Sequence, residues 1–343
     1  MKNTQNKLKK IITKAEIDCL VLSKNTDIFY HTGYRADNDF LLCLANGKKY
    51  FLTSPLTEQM AKKSVSHLDI EVVSGNAGMN FKKIIKDNNL KKIGCDIFSL
   101  STANSRLIKP STIIDISGDL ASLRLVKQPD EIIKIKKAAK LTKKIWTDMQ
   151  KIFNEPFSEI EIARLFDIEI RRVSEGNSFP TICASGPNSA NPHAVPTKRS
   201  FKNNDLLLVD FGIKIDGYCS DLTRIKAKGR INRTLDEMLL HVSKSQEKTL
   251  NIIMPGVQVK TLSLAAYGYL KKAGFGKYIL HSLGHGIGLD VHESPGVHEK
   301  SSVILKEGMI ITIEPGLYVK GLGGVRIEDM VLVTKKGCEV LTK

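Results

Sequence analysis

Five residues toward the C-terminus can each bind a divalent metal, in segments that give little other reason to hold them. They are Asp210 in LLLVDFG, Asp221 in CSDLTR, His285 in HSLGHGIG, Glu314 in TIEPG and Glu328 in GVRIED. Four carboxylates and one imidazole make a hard, oxygen-rich ligand set. It suits Mn, Co or Zn better than an iron–sulfur cluster or a structural zinc. Four carboxylates also balance two divalent ions and leave a bridging hydroxide as nucleophile, so the chemistry in view is dinuclear hydrolysis. Glu314 and Glu328 weigh most, because each interrupts a strongly apolar strand. An acidic side chain is costly to bury there unless it meets a cation. The bland alternative, a solvated glutamate on an edge strand, must be invoked twice.

The other candidates gain meaning from their neighbours. Asp210 and Asp221 are separated by a turn at Asp216-Gly217, and a two-stranded ribbon would bring both carboxylates to one end. Taken alone, they could as well cap a strand and serve a turn. His281 and His285 have the i, i+4 spacing of one helix face. Gly284, Gly286 and Gly288 argue instead for a loop or strand with close backbone approach. The glycines do not fit a dinucleotide loop, whose G-x-G-x-x-G spacing is missing, and HExxH is absent. His292 is the third of eight histidines to fall between residues 281 and 292. Arg326, two residues before Glu328, is expected to share its strand face and place a cation beside the acids. His193 lies in ASGPNSANPHAVPT, a composition typical of plain turns. A histidine there can nonetheless reach a pocket and donate to a developing oxyanion.

Positioning these residues takes two kinds of element. Up to about residue 120, the runs IDCLVLS, FLLCLA, KYFLTS, LDIEVVS, KKIGCDI and STIIDIS predict strands. PLTEQMAKKSV and MNFKKIIKDNNL predict helices between them, and ANGKKY a hairpin turn; the pattern is that of an α/β domain. Pro129, Asp130 and Glu131 then open a long helix, and Ser158 with Glu161 forms a capping box for a second one that runs to Gly176. Helices are also expected over TLDEMLLHVSKSQEKTLNIIM and VKTLSLAAYGYLKKAG. Strands are expected over DLLLVDFGIKIDGYCSDLTRIKAKG, MIITIEPGLYV and RIEDMVLVTKKG.

Composition narrows the classes. The chain has 343 residues, enough for two substantial cores, and 42% hydrophobic content. It contains no apolar run of membrane-spanning length. The basic N-terminus is broken by Lys14, Glu16 and Asp18 and does not read as a signal peptide. Six cysteines without a CxxC pair suggest buried thiols in a reducing cytoplasm. The net charge of +16 comes mostly from lysines on helix-like stretches, where solvated faces explain it. No nucleic-acid-binding motif accompanies it.

The blocks SGPNSANPHAVP, LLVDFGIKIDGYCSDLTR, HSLGHGIGLDVHESPG, EGMIITIEPGLYV and GVRIEDMVLV, in that order, resemble the pita-bread metallopeptidases. That family includes methionine aminopeptidase, aminopeptidase P and prolidase. IDCLVLSKNTDIFYHTGY resembles the creatinase/prolidase N-terminal domain. The resemblance implies an N-terminal α/β domain over residues 1–122 and a pita-bread α+β catalytic domain over 123–343. It further implies that Asp210, Asp221, His285, Glu314 and Glu328 hold two divalent ions, Mn2+ with Co2+ or Zn2+ as alternatives. Asp221 and Glu328 would use both oxygens. Glu314 would also carry a proton toward the leaving amine, and His193 and His292 would contact the scissile peptide. His281 and Arg326 would shape the pocket. Methionine aminopeptidases generally lack this N-domain and the GVRIED block, and creatinase lacks the full ligand set. The implied reaction is therefore hydrolysis of an Xaa–Pro bond, a tertiary amide without an N–H. An Xaa-Pro dipeptidase is expected ahead of an aminopeptidase P acting on longer peptides, with a non-catalytic binding module as a third reading. The expected partners are proline-containing dipeptides or short peptides, in a cytoplasmic homodimer that engages neither nucleic acid nor membrane.

Overall fold

The computed structural model describes residues 2–109 and 111–343. The chain divides into two compact units, Met1–Leu123 and Arg124–Lys343.

The first unit is built on a six-stranded sheet of β1 (Cys19–Leu22), β2 (Phe40–Leu44), β3 (Lys49–Thr53), β4 (Glu71–Ser74), β5 (Lys92–Cys95) and β6 (Thr112–Asp115). Their order is β4-β3-β2-β1-β5-β6. The runs CLVL and FLLCL are continuously apolar because both faces of the sheet are covered. Leu20, Leu22 and Leu41 join one core cluster, while Cys19, Val21 and Leu42 join another on the opposite face. Among the described residues, six helices accompany the sheet: α1 (Lys2–Lys14), α2 (Asn25–Thr32), α3 (Glu58–Val65), α4 (Ala77–Asp87), α5 (Thr102–Ile108) and α6 (Ser117–Leu123). The sequence reading anticipated α3 and α4 only. Helix α2 is rich in β-branched and aromatic residues of modest helix propensity, and ends on Gly33 at φ 73°.

The second unit packs helices on antiparallel sheets. Its helices are α7 (Pro129–Met149), α8 (Glu159–Val173), α9 (Arg233–Leu250) and α10 (Val259–Lys272). Ser158 and Glu161 form the expected capping box, but α8 stops at Val173, short of Gly176. The long stretch 205–228 folds as β8 (Asp205–Phe211), β9 (Lys214–Ile215), β10 (Tyr218–Cys219) and β11 (Leu222–Lys228), preceded by β7 (Ile182–Ser185). Strand β8 pairs with both β7 and β11. Five strands, β12 (Gly284–Gly286), β13 (Glu293–Val297), β14 (Ile310–Ile313), β17 (Asp329–Thr334) and β18 (Gly337–Val340), form a second sheet, and β15 (Gly316–Val319) pairs with β16 (Gly323–Arg326).

Two single strands expected from sequence are each broken. MIITIEPGLYV splits into β14 and β15 at Pro315, which has no N–H for the ladder. Arg326 ends β16 and Asp329 begins β17, so Arg326 and Glu328 do not share a strand as expected. Gln246 of α9 spans both breaks, donating to the carbonyls of Ile313 (3.1 Å) and Ile327 (3.3 Å).

Alternation then decides which side chains meet. On β8, Leu207, Val209 and Phe211 enter the core beneath α7 and α8, which turns Asp210 to the other face. Leu222 pairs with Phe211 and joins that core, so Asp221 and Thr223 turn the same way as Asp210. On β14 and β17, Ile311, Ile313, Val331 and Val333 face α9 and α10. Thr312, Glu314, Glu328 and Met330 are left on the opposite side. No helix among the described residues is long and apolar enough to cross a membrane.

Candidate metal centre

The four acids and His285 line one cavity of about 590 Å3 in the second unit. Within it, ligand atoms of Asp221, His285 and Glu328 lie within 4.8 Å of one another. Glu314 Oε1 is 3.3 Å from His285 Nε2, and Asp221 Oδ2 is 3.6 Å from the same nitrogen. Asp210 sits in the same wall, with its Oδ2 accepting from Arg326 Nη2 at 2.6 Å.

These spacings would suit an ion pair if His285 were protonated, but its electrostatics say otherwise. Burial and the neighbouring His292 ring push its pKa down to about 4, against the opposing bond to Gly286. The carbonyl of Gly286 accepts from Nδ1 at 3.1 Å, so the proton is on Nδ1 and Nε2 presents a lone pair. A lone pair facing two carboxylates is repulsive unless a cation or a proton lies between them.

The acids tell the same story. Burial raises the pKa of Asp221 well above its usual range, and the charges of Glu328, Asp210 and Glu314 raise it further. Glu314 is raised by burial and then by Glu328, with Arg326 opposing. Glu328 is pushed up to about 8 by burial and Asp210, against Arg326 and the Thr223 hydrogen bond. One oxygen in each of Asp210 (Oδ1), Asp221 (Oδ1) and Glu328 (Oε1) is buried without a hydrogen-bond partner. Buried acceptors normally find a partner, and three orphaned in one cluster with a neutral imidazole fit a divalent cation.

Around this cluster runs a network of fixed donors. Thr223 Oγ1 donates to Glu328 Oε2 (2.8 Å) and accepts from Arg326 Nε (3.0 Å). Arg224 holds the backbone here, donating to Glu328 O at 2.5 Å and to Asp329 Oδ1 at 2.6 Å. Thr312 Oγ1 accepts from the His285 N–H and donates to Glu314 Oε1. His281 Nδ1 donates to Ser282 O, so its Nε2 accepts from the Tyr318 hydroxyl at 2.8 Å. That hydroxyl accepts in turn from Arg326 Nη1, also at 2.8 Å. His281 is thus a neutral ring held by Tyr318, and burial and Arg326 push its pKa down to about 4.

His193 and His292 are exposed at the cavity. The His292 ring packs edge-on against His285, with centroids 4.4 Å apart. Its neighbour Glu293 is anchored by Arg124 Nη1 at 2.8 Å and Lys127 Nζ at 3.0 Å. Thr223, Tyr318 and Arg224 were not anticipated from sequence. Thr223 could have been, since alternation puts it on the face of Asp221. Nothing in GLYV marks Tyr318.

Close backbone approach explains the glycines around His285. A Cβ at Gly284 would lie 2.1 Å from Thr312 O, and one at Gly286 would lie 2.2 Å from Ser294 O. Residues 133–335 match the model of metallopeptidase family M24, and residues 5–126 match the creatinase/prolidase N-terminal domain. The chain belongs to metallopeptidase family M24. Its architecture is the one the sequence resemblance implied, an α/β N-terminal domain and a pita-bread α+β domain, and its class is metal-dependent hydrolase.

The chain is similar along its whole length to proteins of this family. An Xaa-Pro dipeptidase from Pyrococcus horikoshii is 33% identical over 351 residues, covering 98% of this chain and 97% of that protein. The structure of an Xaa-Pro dipeptidase from Bacillus anthracis superposes with a TM-score of 0.93 at 31% identity, covering 98% and 96%. That of an X-Pro aminopeptidase from Thermotoga maritima gives 0.84 at 30% identity, covering 96% and 97%.

Proposed function

We propose that this enzyme hydrolyses the Xaa–Pro bond of dipeptides, with two divalent ions held by Asp210, Asp221, His285, Glu314 and Glu328. The observation that carries the reading is the set of three partnerless buried carboxylate oxygens, on Asp210, Asp221 and Glu328, in the cavity that also holds the His285 Nε2 lone pair. Bound ions, Mn2+ first with Co2+ or Zn2+ as alternatives, would supply Lewis acidity and an activated water. Asp210, Asp221 and Glu328 each keep a partnerless buried oxygen that would be available to bound ions. Arg326 and Thr223 fix the Asp210 and Glu328 carboxylates so that their free oxygens stay aimed at the cluster. Glu314, beside His285 in the cavity, can take a proton and hand it to the leaving amine. His193 and His292, at the cavity mouth, can donate to the scissile carbonyl as its charge develops.

The substrate class rests on the relatives. Full-length similarity to two Xaa-Pro dipeptidases, with the higher TM-score of the two structures, supports the dipeptide over the longer peptide. The test incubates Mn2+-loaded enzyme with Leu-Pro and with Leu-Pro-Pro. Release of leucine from Leu-Pro alone is the expected result. Release from Leu-Pro-Pro would move the assignment to an aminopeptidase, and release from neither would refute the Xaa-Pro reading.

A further inference from the structure

Glu159, the first residue of α8, lies in the second unit away from the acid cluster and is fully buried. Its carboxylate is an acceptor in every contact it makes. Oε1 accepts from Ser185 N (2.6 Å), Ser185 Oγ (2.7 Å) and Asn188 Nδ2 (3.1 Å). Oε2 accepts from Thr197 N (3.0 Å), Thr197 Oγ1 (2.7 Å) and the same Asn188 amide (3.1 Å). Ser185 and Thr197 are the two ends of the loop that carries His193. One carboxylate therefore closes that loop at its base.

His193 has little else to place it. Its backbone N–H bonds Asn191 Oδ1, but among the described residues no hydrogen bond holds its exposed ring. Its position follows from the loop backbone. The far side of the loop is docked on β16. Ser189 Oγ accepts from Gly324 N (2.8 Å), and the Pro192 carbonyl accepts from Arg326 Nη1 (3.2 Å). A Cβ at Gly324 would lie 2.2 Å from Ser189 O, so the contact leaves no slack. The loop is thus gripped by Glu159 on one side and by the Arg326 strand on the other.

We infer that Glu159 is a positioning residue, which sets the distance of His193 from the scissile carbonyl without touching the substrate. The inference rests on the reading of His193 given above. A glutamine cannot substitute. Each carboxylate oxygen faces a backbone N–H, which cannot turn away, so whichever way the amide flips its NH2 meets a donor.

The experiment compares the wild type, Glu159→Gln, His193→Ala and the double variant, each Mn2+-loaded, by kcat and KM on Leu-Pro. Hydrogen exchange across residues 186–197 is measured in parallel. The expected result for Glu159→Gln is a kcat about tenfold to a hundredfold lower with little change in KM, since small misplacements of a catalytic group have that cost. Exchange in the loop should be faster. In the His193→Ala background the same substitution should change kcat by no more than about twofold, because the two act through one ring. Thr197→Val, which removes the hydroxyl that donates to Glu159 and accepts from Asn188 and Arg199, should show a smaller effect in the same direction if Glu159→Gln folds poorly. An equal loss of kcat in both backgrounds, or unchanged exchange over 186–197, would overturn the inference. A wild-type rate in His193→Ala would overturn the role of His193 and with it the catalytic part of the inference, while the exchange data still show whether Glu159 holds the loop.

Discussion

Burial raises the proton affinity of Asp221, Glu314 and Glu328, and the charge of a neighbouring acid raises each further. That has a thermodynamic consequence for the metal-free protein. Folded Glu328 keeps its proton up to about pH 8, whereas its ordinary value is 4.5. Between those values the folded chain binds more protons than the unfolded chain, so stability falls as pH rises. Thermal unfolding of metal-free protein across this window should show that loss, and Glu328→Gln should flatten it. Identical pH profiles for the two proteins would mean that Glu328 does not carry the strain. Divalent metal should cancel the loss, because the ligands bind as deprotonated carboxylates and release their protons.

The elements deliver these residues through strand alternation and backbone approach. The acids were legible as charged residues that follow or interrupt apolar runs, although the alternation itself was not, since DLLLVDF and IITI are apolar and buried almost throughout. The acid cluster was therefore readable from residue types and order alone. The strand breaks were not readable. Both GLYV and GVR continue the apolar character of their neighbours, and the switch to a separate ribbon depends on Gln246 of α9, far away in sequence. The lysines of helix α1 mask its apolar stripe in the sequence, although Leu8, Ile11 and Ile12 keep helical spacing and are buried. The glycines around His285 were read correctly as close approach, and this gives a direct check. Gly284→Ala would force a Cβ to 2.1 Å from the Thr312 carbonyl. Overpacking of this kind should cost about 1–3 kcal/mol in chemical denaturation and weaken metal binding by displacing His285. A variant of wild-type stability would show that β12 and β14 can separate freely.

At the scale of the whole molecule, the net charge of +16 is carried in good part by solvated helix faces. On α7, Lys137, Lys140, Lys143 and Lys144 are exposed while Ile135, Ala138, Ala139 and Ile145 are buried. The acid cluster works against that background, as a compact negative site within a basic chain. All its members lie in the second unit, so metal should stabilise that unit, by about 2.7 kcal/mol for each ion at a hundredfold excess over its Kd. The decisive measurement is the number of Mn2+ ions bound per chain, in metal-free wild type and in Asp221→Ala, with Leu-Pro hydrolysis followed in the same samples. Two ions per wild-type chain, with hydrolysis appearing as they bind, is the predicted result, together with loss of both in a folded Asp221→Ala. Hydrolysis without bound metal, or full metal content and activity in Asp221→Ala, would contradict the assignment of the cluster as the catalytic centre.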